Sequence, residues 1–316
     1  MQREVPAPGG WLEAATAAFL RLFLRVTFRP FIGPRLGAPA QRRWAWALSL
    51  LMPGRRGVQA EWDRVGAIDV RVLAPTHTAG QGVVLYLHGG AFCLGSAFTH
   101  RGMCSHLAHA SGMPVWIPNY RLAPEHPYPC ALQDALAVFD ALLRKGYSAD
   151  QIVLAGDSAG ATLALALAIH LRRLGRAVPA ALALISPVTD AQARRTGTAP
   201  GVRDDPMVTQ AWLDQGLTWL QVPSGAAEFA PLTTDLHGLP PLLIQAGQEE
   251  ILLPDSERLA AHALACQVPC QLEVHAQRWH VFHLQAFYLR SAREALRTLG
   301  RFAQASVVPR ASNTVT

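Results

Sequence analysis

Lysine, cysteine and long apolar runs are all scarce in this 316-residue sequence. Lys145 is the only lysine, and the five cysteines form an odd set without a Cys-x-x-Cys pair. These counts argue against a disulfide framework and against a zinc site, and they suit a reducing compartment. Since no stretch of 18 uncharged apolar residues occurs and no signal peptide is evident, we expect a cytoplasmic protein without a membrane span.

The basic residues do not form a patch, although the net charge is +6 and the pI is about 9.4. They are scattered arginines, with pairs such as Arg55-Arg56 and Arg172-Arg173 that are not interleaved with aromatic residues. This distribution is typical of solvated faces and argues against nucleic-acid binding. The length and the 50% hydrophobic content predict one large domain with a sizeable core.

Residues 1–50 differ from the rest of the chain. Residues 15–28 are apolar and have helical periodicity, with three arginines spaced four apart: Arg21, Arg25 and Arg29. Such a helix could lie on an anionic membrane or could pack on the protein's own surface as a lid. We favour the lid because prolines follow from Pro30 onward. We therefore predict an N-terminal helical cap, with peripheral membrane contact through residues 15–35 as the less favoured alternative.

A short apolar run at 152–155 leads into Gly-Asp-Ser-Ala-Gly at 156–160, and an Ala/Leu-rich segment follows through about Arg173. A Gly-x-Ser-x-Gly motif between a strand and a helix predicts a nucleophile elbow. Its glycines allow strand and helix to approach closely, and the helix N-terminus favours developing negative charge. The simpler alternative is that Ser158 only caps the helix.

Predicted strands and helices alternate along most of the chain, which predicts an α/β fold with a largely parallel sheet covered by helices. We predict a catalytic domain at 51–306, a helical cap insertion at about 190–235 and a frayed tail at 307–316. The predicted strands are 67–73, 83–87, 115–117, 152–155, 181–185, 242–245 and 271–274. The predicted helices are 132–143, the segment after the elbow, 256–264 and a last helix from 281 onward.

A serine nucleophile needs a histidine base, and in this fold class the base follows the serine and the acid in the chain. His280 lies between the last predicted strand and the last predicted helix, where it can reach over the carboxyl edge of the sheet. We therefore predict His280 as the base. The other downstream histidines fall in helices, at strand ends or in more distant loops: His170, His237, His262, His275 and His283.

The loop after the strand at 242–245 is expected to supply the acid that orients the base. It offers three carboxylates, Glu249, Glu250 and Asp255. Any of them could instead be a solvated loop residue, and Asp255 could cap the following helix. The pattern alone leaves this choice open.

Backbone amides are expected to receive the oxyanion of the tetrahedral intermediate. His-Gly-Gly-Ala at 88–91 directly follows a predicted strand, and its flexible backbone can turn several amides toward one point. Ala159, directly after the candidate nucleophile, supplies another amide. We predict that the donors come from Gly89, Gly90, Ala91 and Ala159.

Four ordered motifs carry a resemblance to a known family: 88–92 (HGGAF), 119–129 (NYRLAPEHPYP), 156–160 (GDSAG) and 280–282 (HVF). Over about 65–305 the chain resembles the hormone-sensitive-lipase-like family of α/β-hydrolases. The resemblance implies an α/β-hydrolase fold and carboxylic-ester hydrolysis. It also implies that the N-terminal segment and the insertion form a cap over the acyl pocket.

The resemblance also implies a choice of acid. Family members usually carry the Asp of an Asp-Pro-Leu motif, and the matching position here is Glu250, with Ile251 in place of the proline. Glu250 is therefore the first choice and Asp255 the second. Ala91 replaces a third glycine, so its oxyanion role requires that its backbone avoid positive φ. Arg121 and Glu125 in the second motif are expected to brace loops.

Together these observations predict a cofactor-free serine carboxylesterase that hydrolyses short- to medium-chain acyl esters through Ser158, His280 and Glu250. Its expected partner is a small-molecule ester, and a homodimer is compatible with the sequence. A lactone hydrolase or deacetylase with the same triad is one alternative. A catalytically silent binding protein with the hydrolase fold is another.

Overall fold

The computed structural model describes residues 2–78, 81–189 and 205–308. Within them, nine strands form one sheet in the order β1-β9-β8-β7-β6-β4-β5-β3-β2. The strands are β1 Gln2–Val5, β2 Val58–Val65, β3 Ile68–Pro75, β4 Val83–Leu87, β5 Val115–Pro118, β6 Ile152–Asp157, β7 Ala181–Ile185, β8 Leu242–Gly247 and β9 Cys270–His275.

Helices cover both faces of this sheet. They are α1 Trp11–Thr27, α2 Ala38–Ser49, α3 Arg101–Ser111, α4 Cys130–Arg144, α5 Ala159–Arg173, α6 Gln210–Leu220, α7 Leu253–Ala265 and α8 Arg290–Ser306. Three short 3-10 helices accompany them, at Ala149–Gln151, Ala227–Phe229 and Phe282–Gln285. In the part of the chain that the structure describes, no helix combines the length and the apolar character needed to cross a membrane.

The sheet is largely parallel, as predicted. β2 runs antiparallel to β3 and β3 antiparallel to β5, whereas the other described pairings are parallel. Every residue of β4, β6, β7 and β8 is buried, because helices pack on both faces. One apolar cluster includes α4, α5 and α7, and a second includes α1, α3 and α8. The predicted fold class is confirmed.

Several elements differ from the sequence-based prediction. Four elements were not predicted: β1, β2, α2 and α3. The strands β1 and β2 are mostly exposed and polar, so they lack a strong apolar period. The last helix begins at Arg290 rather than near 281, since Val281 has a φ of 47° and a 3-10 turn follows it. Of the predicted insertion, residues 190–204 lie outside the described residues, as do 309–316 of the predicted tail.

The N-terminal segment is attached to the body of the protein at two points along α1. Near its start, Glu13 accepts hydrogen bonds from the backbone and hydroxyl of Ser291 and from the Arg278 guanidinium. Near its middle, Arg21 pairs with Glu249 at 2.6 Å. α2 is held by Arg42, which donates to the carbonyls of Cys93 and Ala123 as well as to Glu125. These contacts fix α1 and α2 beside the carboxyl edge of the sheet.

Candidate active site

Ser158 stands on a sharp turn between β6 and α5. Its φ of 53° and ψ of −124° are unfavourable for a residue with a Cβ, which is the strained geometry of a nucleophile elbow. A Cβ on Gly156 would lie 2.6 Å from the Leu87 carbonyl oxygen, and one on Gly160 would lie 2.0 Å from the same atom. Both positions therefore require glycine, and the spacing of the motif follows from this close packing.

Ser158 and His280 line the same pocket, together with Gly89 and Gly90. His280 lies after β9, in the loop that leads into the 3-10 helix Phe282–Gln285. The rest of the pocket wall is mainly apolar and comes largely from α1, α2 and the segment leading into α6. Its members include Phe23, Leu24, Phe28, Leu48, Met52, Met207, Val208 and Trp212.

Glu250 is the carboxylate beside His280. Its Oε2 lies 3.9 Å from His280 Nδ1, which is within ion-pair range but longer than a hydrogen bond. The same oxygen accepts hydrogen bonds from Ser186 Oγ at 2.8 Å and from the Gly247 amide at 2.9 Å. Among the described residues, Glu250 Oε1 and His280 Nδ1 have no hydrogen-bond partner, although both are buried.

The pKa of His280 is shifted by opposing influences. Burial lowers it, because the cationic ring loses its hydration, whereas the carboxylates of Glu250, Asp205 and Asp157 raise it. The net result is a His280 pKa above its ordinary value of 6.5. The site therefore stabilises the imidazolium that forms when the ring accepts a proton.

Asp205 is a buried carboxylate that the sequence analysis did not single out. Its Oδ1 accepts hydrogen bonds from the amides of Met207 at 2.8 Å and Val208 at 3.1 Å, whereas no partner to Oδ2 occurs within the described ranges. Burial raises the pKa of Asp205 to about 6, against the lowering influence of His280. An Asp-Pro dipeptide ahead of a predicted helix was its only signal in the sequence.

The other two candidate acids have different partners. Glu249 pairs with Arg21 at 2.6 Å. Asp255 Oδ2 accepts from the Thr189 amide at 2.9 Å, and its Oδ1 accepts from Arg258 at 2.8 Å. Of the three carboxylates in this loop, Glu250 is the one that the structure brings to His280.

The candidate oxyanion donors separate into two groups. The Gly89 amide donates to Asp157 Oδ1 at 3.0 Å, so in this structure it does not face the pocket as an open donor. Ala91 has a φ of 50°, and this positive value violates the condition set for its oxyanion role. Gly90 lines the pocket, and Ala159 is the first residue of α5, where helix amides have no intrahelical partner.

Comparison with known proteins identifies the family. A family profile described as "alpha/beta hydrolase fold" matches residues 84–284. An "Esterase" of Acinetobacter venetianus is 33% identical over 90% of this chain and 95% of its own. An "Acetyl-hydrolase" of Streptomyces hygroscopicus is 37% identical over 77% of this chain and 78% of its own. A crystal structure of an esterase from the bacterial hormone-sensitive lipase family superimposes with a TM-score of 0.86 and 32% identity, covering 95% of this chain and all of that one.

The chain is an α/β hydrolase of the hormone-sensitive lipase family. The resemblance inferred from the four motifs is therefore confirmed, and the protein is a hydrolase that acts on ester bonds. The alternative of a catalytically silent binding protein is not supported.

A buried network joins the elbow of this hydrolase to its glycine loop. Asp157 accepts from Tyr86 Oη at 2.7 Å and from the Gly89 amide, and its other oxygen lies 3.4 Å from His100 Nε2. His88 stacks on Tyr120 with ring centroids 4.3 Å apart. Burial lowers the pKa of His88 to about 3, so its ring is neutral at physiological pH. Asp157 and His100 were not predicted, since neither has a sequence pattern that places it beside the glycine loop.

The second motif braces the hydrolase, as expected for Arg121 and Glu125. Arg121 forms a two-pronged pair with Asp134 of α4, with its closest contact at 2.7 Å. Glu125 pairs with Arg42 of α2 at 2.6 Å. The motif thus connects the loop below the site to α2 above it.

Proposed function

We propose that this hydrolase is a serine carboxylesterase that uses Ser158 as nucleophile, His280 as base and Glu250 as the acid that orients the base. The amides of Gly90 and Ala159 receive the oxyanion. Ala91 is a less favoured donor because of its positive φ, and Asp255 remains the second choice of acid.

The reaction divides into acylation and deacylation. Ser158 Oγ attacks the ester carbonyl carbon while His280 accepts the hydroxyl proton, and the carbonyl oxygen becomes the oxyanion. Collapse of this intermediate breaks the bond to the alcohol, which leaves with the proton from His280. Water then attacks the acyl-enzyme with His280 again as base, and the carboxylic acid departs while the proton returns to Ser158.

The proposal rests mainly on two neighbouring buried side chains, each of which has one polar atom without a hydrogen bond. His280 Nδ1 and Glu250 Oε1 both lack a hydrogen-bond partner among the described residues, although the two side chains lie beside each other. An unpaired buried polar atom is costly. A small rotation that brings Glu250 Oε1 within hydrogen-bond distance of His280 Nδ1 would satisfy both atoms and would fix the orientation of the imidazole.

The pocket supports a short acyl substrate. Its volume is about 100 Å³. Pockets that hold drug-sized ligands have volumes of roughly 300–1,000 Å³, so this one suits a smaller molecule. An ester of a short acid and a small alcohol is of that size, and the apolar wall suits its acyl chain.

A screen of p-nitrophenyl esters from acetate to palmitate tests the proposal. The enzyme is expected to favour the short chains, with rates that fall steeply toward palmitate. Ser158→Ala should lower kcat/KM by at least about 10³-fold, because the nucleophile is lost. Ser306→Ala, at the end of α8, is the matched control and should retain full activity. Near-normal turnover by Ser158→Ala would overturn the proposal, and a preference for palmitate would overturn the assigned chain length.

A deacetylase is the second candidate, because one relative is named an acetyl-hydrolase. Adding an aryl acetamide and a lactone to the same screen separates amide deacetylation and lactone opening from ester hydrolysis. A reducing, cytoplasmic location also remains part of the proposal, in keeping with five cysteines that form no disulfide in the described part of the chain.

A further inference from the structure

The outward face of α1 is apolar at every position but one. Ala17, Leu20 and Leu24 point inward and are buried. At 100° per residue, the opposite side of the helix carries apolar residues throughout, apart from Arg25. Its large members are each 60–78% exposed: Trp11, Leu12, Phe19, Leu22 and Val26. An ordinary surface helix carries polar residues on this side, so the face calls for an explanation.

Further exposed apolar residues follow on the elements around the pocket. In and just after α2, Trp46, Leu50 and Leu51 are about half exposed, whereas Leu48 and Met52 line the pocket. Tyr288, itself 40% exposed, donates from Oη to the Leu51 carbonyl at 2.8 Å. We define the cap surface as the exposed residues between 11 and 56. It lies on the same two helices whose inner sides cover the candidate active site.

The net positive charge of the protein is concentrated in residues 1–56, which include the cap surface. Residues 1–56 contain nine arginines and two glutamates, a net charge of +7, whereas residues 57–316 contain 19 basic and 20 acidic residues, a net charge of −1. Arg21 and Arg42 are paired with Glu249 and Glu125 of the body. The exposed arginines between residues 11 and 56 are Arg25, Arg35, Arg43 and Arg56. The segment is thus both apolar and basic at its surface.

We propose that the cap surface docks on an anionic lipid bilayer. Exposed tryptophan, phenylalanine and leucine insert at the boundary between headgroups and acyl chains, and arginines attract the anionic headgroups. Charge complementarity favours this occupant over a second copy of the chain, because two copies would bring two segments of +7 together. The inner side of α1 still packs over the pocket, so the helix serves as a lid and as a membrane contact at once.

Sedimentation of the full chain with vesicles tests this proposal. Phosphatidylcholine vesicles with and without phosphatidylglycerol are the probes, at ~0.1 M and ~1 M salt, where the Debye length falls from about 10 to 3 Å. We expect binding to the anionic vesicles that weakens at high salt. Leu22→Gln with Val26→Gln should lower the partition coefficient at least tenfold, and Arg35→Gln with Arg43→Gln should lower it to a similar extent.

The matched control is Leu174→Gln with Leu264→Gln, which removes two exposed leucines away from the cap surface and should leave binding unchanged. All three double variants should hydrolyse p-nitrophenyl butyrate normally without vesicles, since none of these residues lines the pocket. The proposal fails if anionic vesicles do not bind the protein at low salt, or if the control loses binding equally. It also fails if sedimentation velocity shows a dimer that the α1 variant dissociates while vesicles bind neither form.

Discussion

At the scale of single residues, the environment of His280 distinguishes it from the other histidines near the site. Burial lowers the pKa of His88 to about 3 and that of His275 to about 4, so both rings are uncharged at neutral pH. His280 is equally buried, but nearby carboxylates raise its pKa instead. A base that must accept and return a proton near neutral pH benefits from that balance.

The choice between Glu250 and Asp255 can be tested by removing each charge while keeping the shape. Glu250→Gln is expected to lower kcat by about 10³–10⁴-fold, because the imidazole loses the carboxylate that orients it. Asp255→Asn should cost less than about tenfold, since its partners are Thr189 and Arg258 rather than His280. Initial rates with p-nitrophenyl butyrate measure both. Severe loss in Asp255→Asn alone would transfer the role to Asp255.

We expect Asp205 to make both activity and stability depend on pH. His280 must be neutral to act as base, so the acid limb of kcat/KM is expected to have its midpoint above pH 6.5. Asp205→Asn removes one of the charges that raise the pKa of His280, so it should move this limb to lower pH. A pH–rate profile measures the shift, and an unchanged limb would contradict the coupling.

The pKa shift of Asp205 also predicts how the stability of the Asp205→Asn variant changes with pH. Folding raises the pKa of Asp205 from 3.8 to about 6. The contribution of this carboxyl group to the free energy of unfolding is therefore fully present below pH 3.8 and is lost as the pH rises through 6. Relative to the parent, Asp205→Asn should therefore gain roughly 2–3 kcal/mol in free energy of unfolding between pH 4 and pH 8. Urea titrations at the two pH values measure this. An equal difference at both pH values would show that Asp205 does not ionise in a buried setting.

At the scale of elements, α1 connects to both loops that carry the candidate acid and base. Arg21 pairs with Glu249, the neighbour of Glu250, and its guanidinium lies 5.2 Å from the ring centroid of Trp279, the neighbour of His280. α1 therefore contacts both loops of the candidate site, although they lie more than 200 residues further along the sequence.

α6 approaches the glycine loop so closely that its contact residue must be glycine. A Cβ on Gly216 would lie 2.5 Å from the Ala91 carbonyl oxygen and 2.6 Å from Ala91 Cβ. Gly216→Ala should therefore push α6 away and destabilise the protein by about 1–3 kcal/mol. It should also lower kcat, because it disturbs the glycine loop that carries the proposed oxyanion donor Gly90. Chemical denaturation and ester hydrolysis measure the two effects.

Gly33→Ala is the matched control for this change, because a Cβ at that position meets no atom within 4 Å. It should alter stability by less than about 0.5 kcal/mol. Equal behaviour of the two alanine variants would mean that α6 can move without cost.

At the scale of the whole molecule, the sequence predicts best where burial dictates the pattern. The predicted bounds of β4 and β7 agree residue for residue with the structure, because both are continuous apolar runs buried on both sides. β2 carries Glu61, Asp63 and Arg64 on a largely exposed edge, so it has no apolar period to recognise. The largely parallel arrangement followed from the alternation of strands and helices, whereas the order of the strands in the sheet was not predicted.

The candidate site was predictable only as far as local motifs reach. Ser158 and Gly90 lie in short motifs whose geometry is set by the turn itself. The diversion of the Gly89 amide to Asp157 depends on a contact between residues 68 positions apart, which no local pattern reveals. The burial of Asp205 likewise depends on how the segment before α6 packs over the sheet. Long-range packing therefore decides which groups in a motif face the substrate.

Labelling with a fluorophosphonate tests the central claim most directly, because such a probe reacts only with a serine that the site has made nucleophilic. Peptide mass spectrometry of the labelled full chain should place one adduct on Ser158, and Ser158→Ala should remain unlabelled under the same conditions. An adduct on a different serine, or no adduct on a protein that still hydrolyses p-nitrophenyl butyrate, would contradict the assignment of Ser158 as the nucleophile.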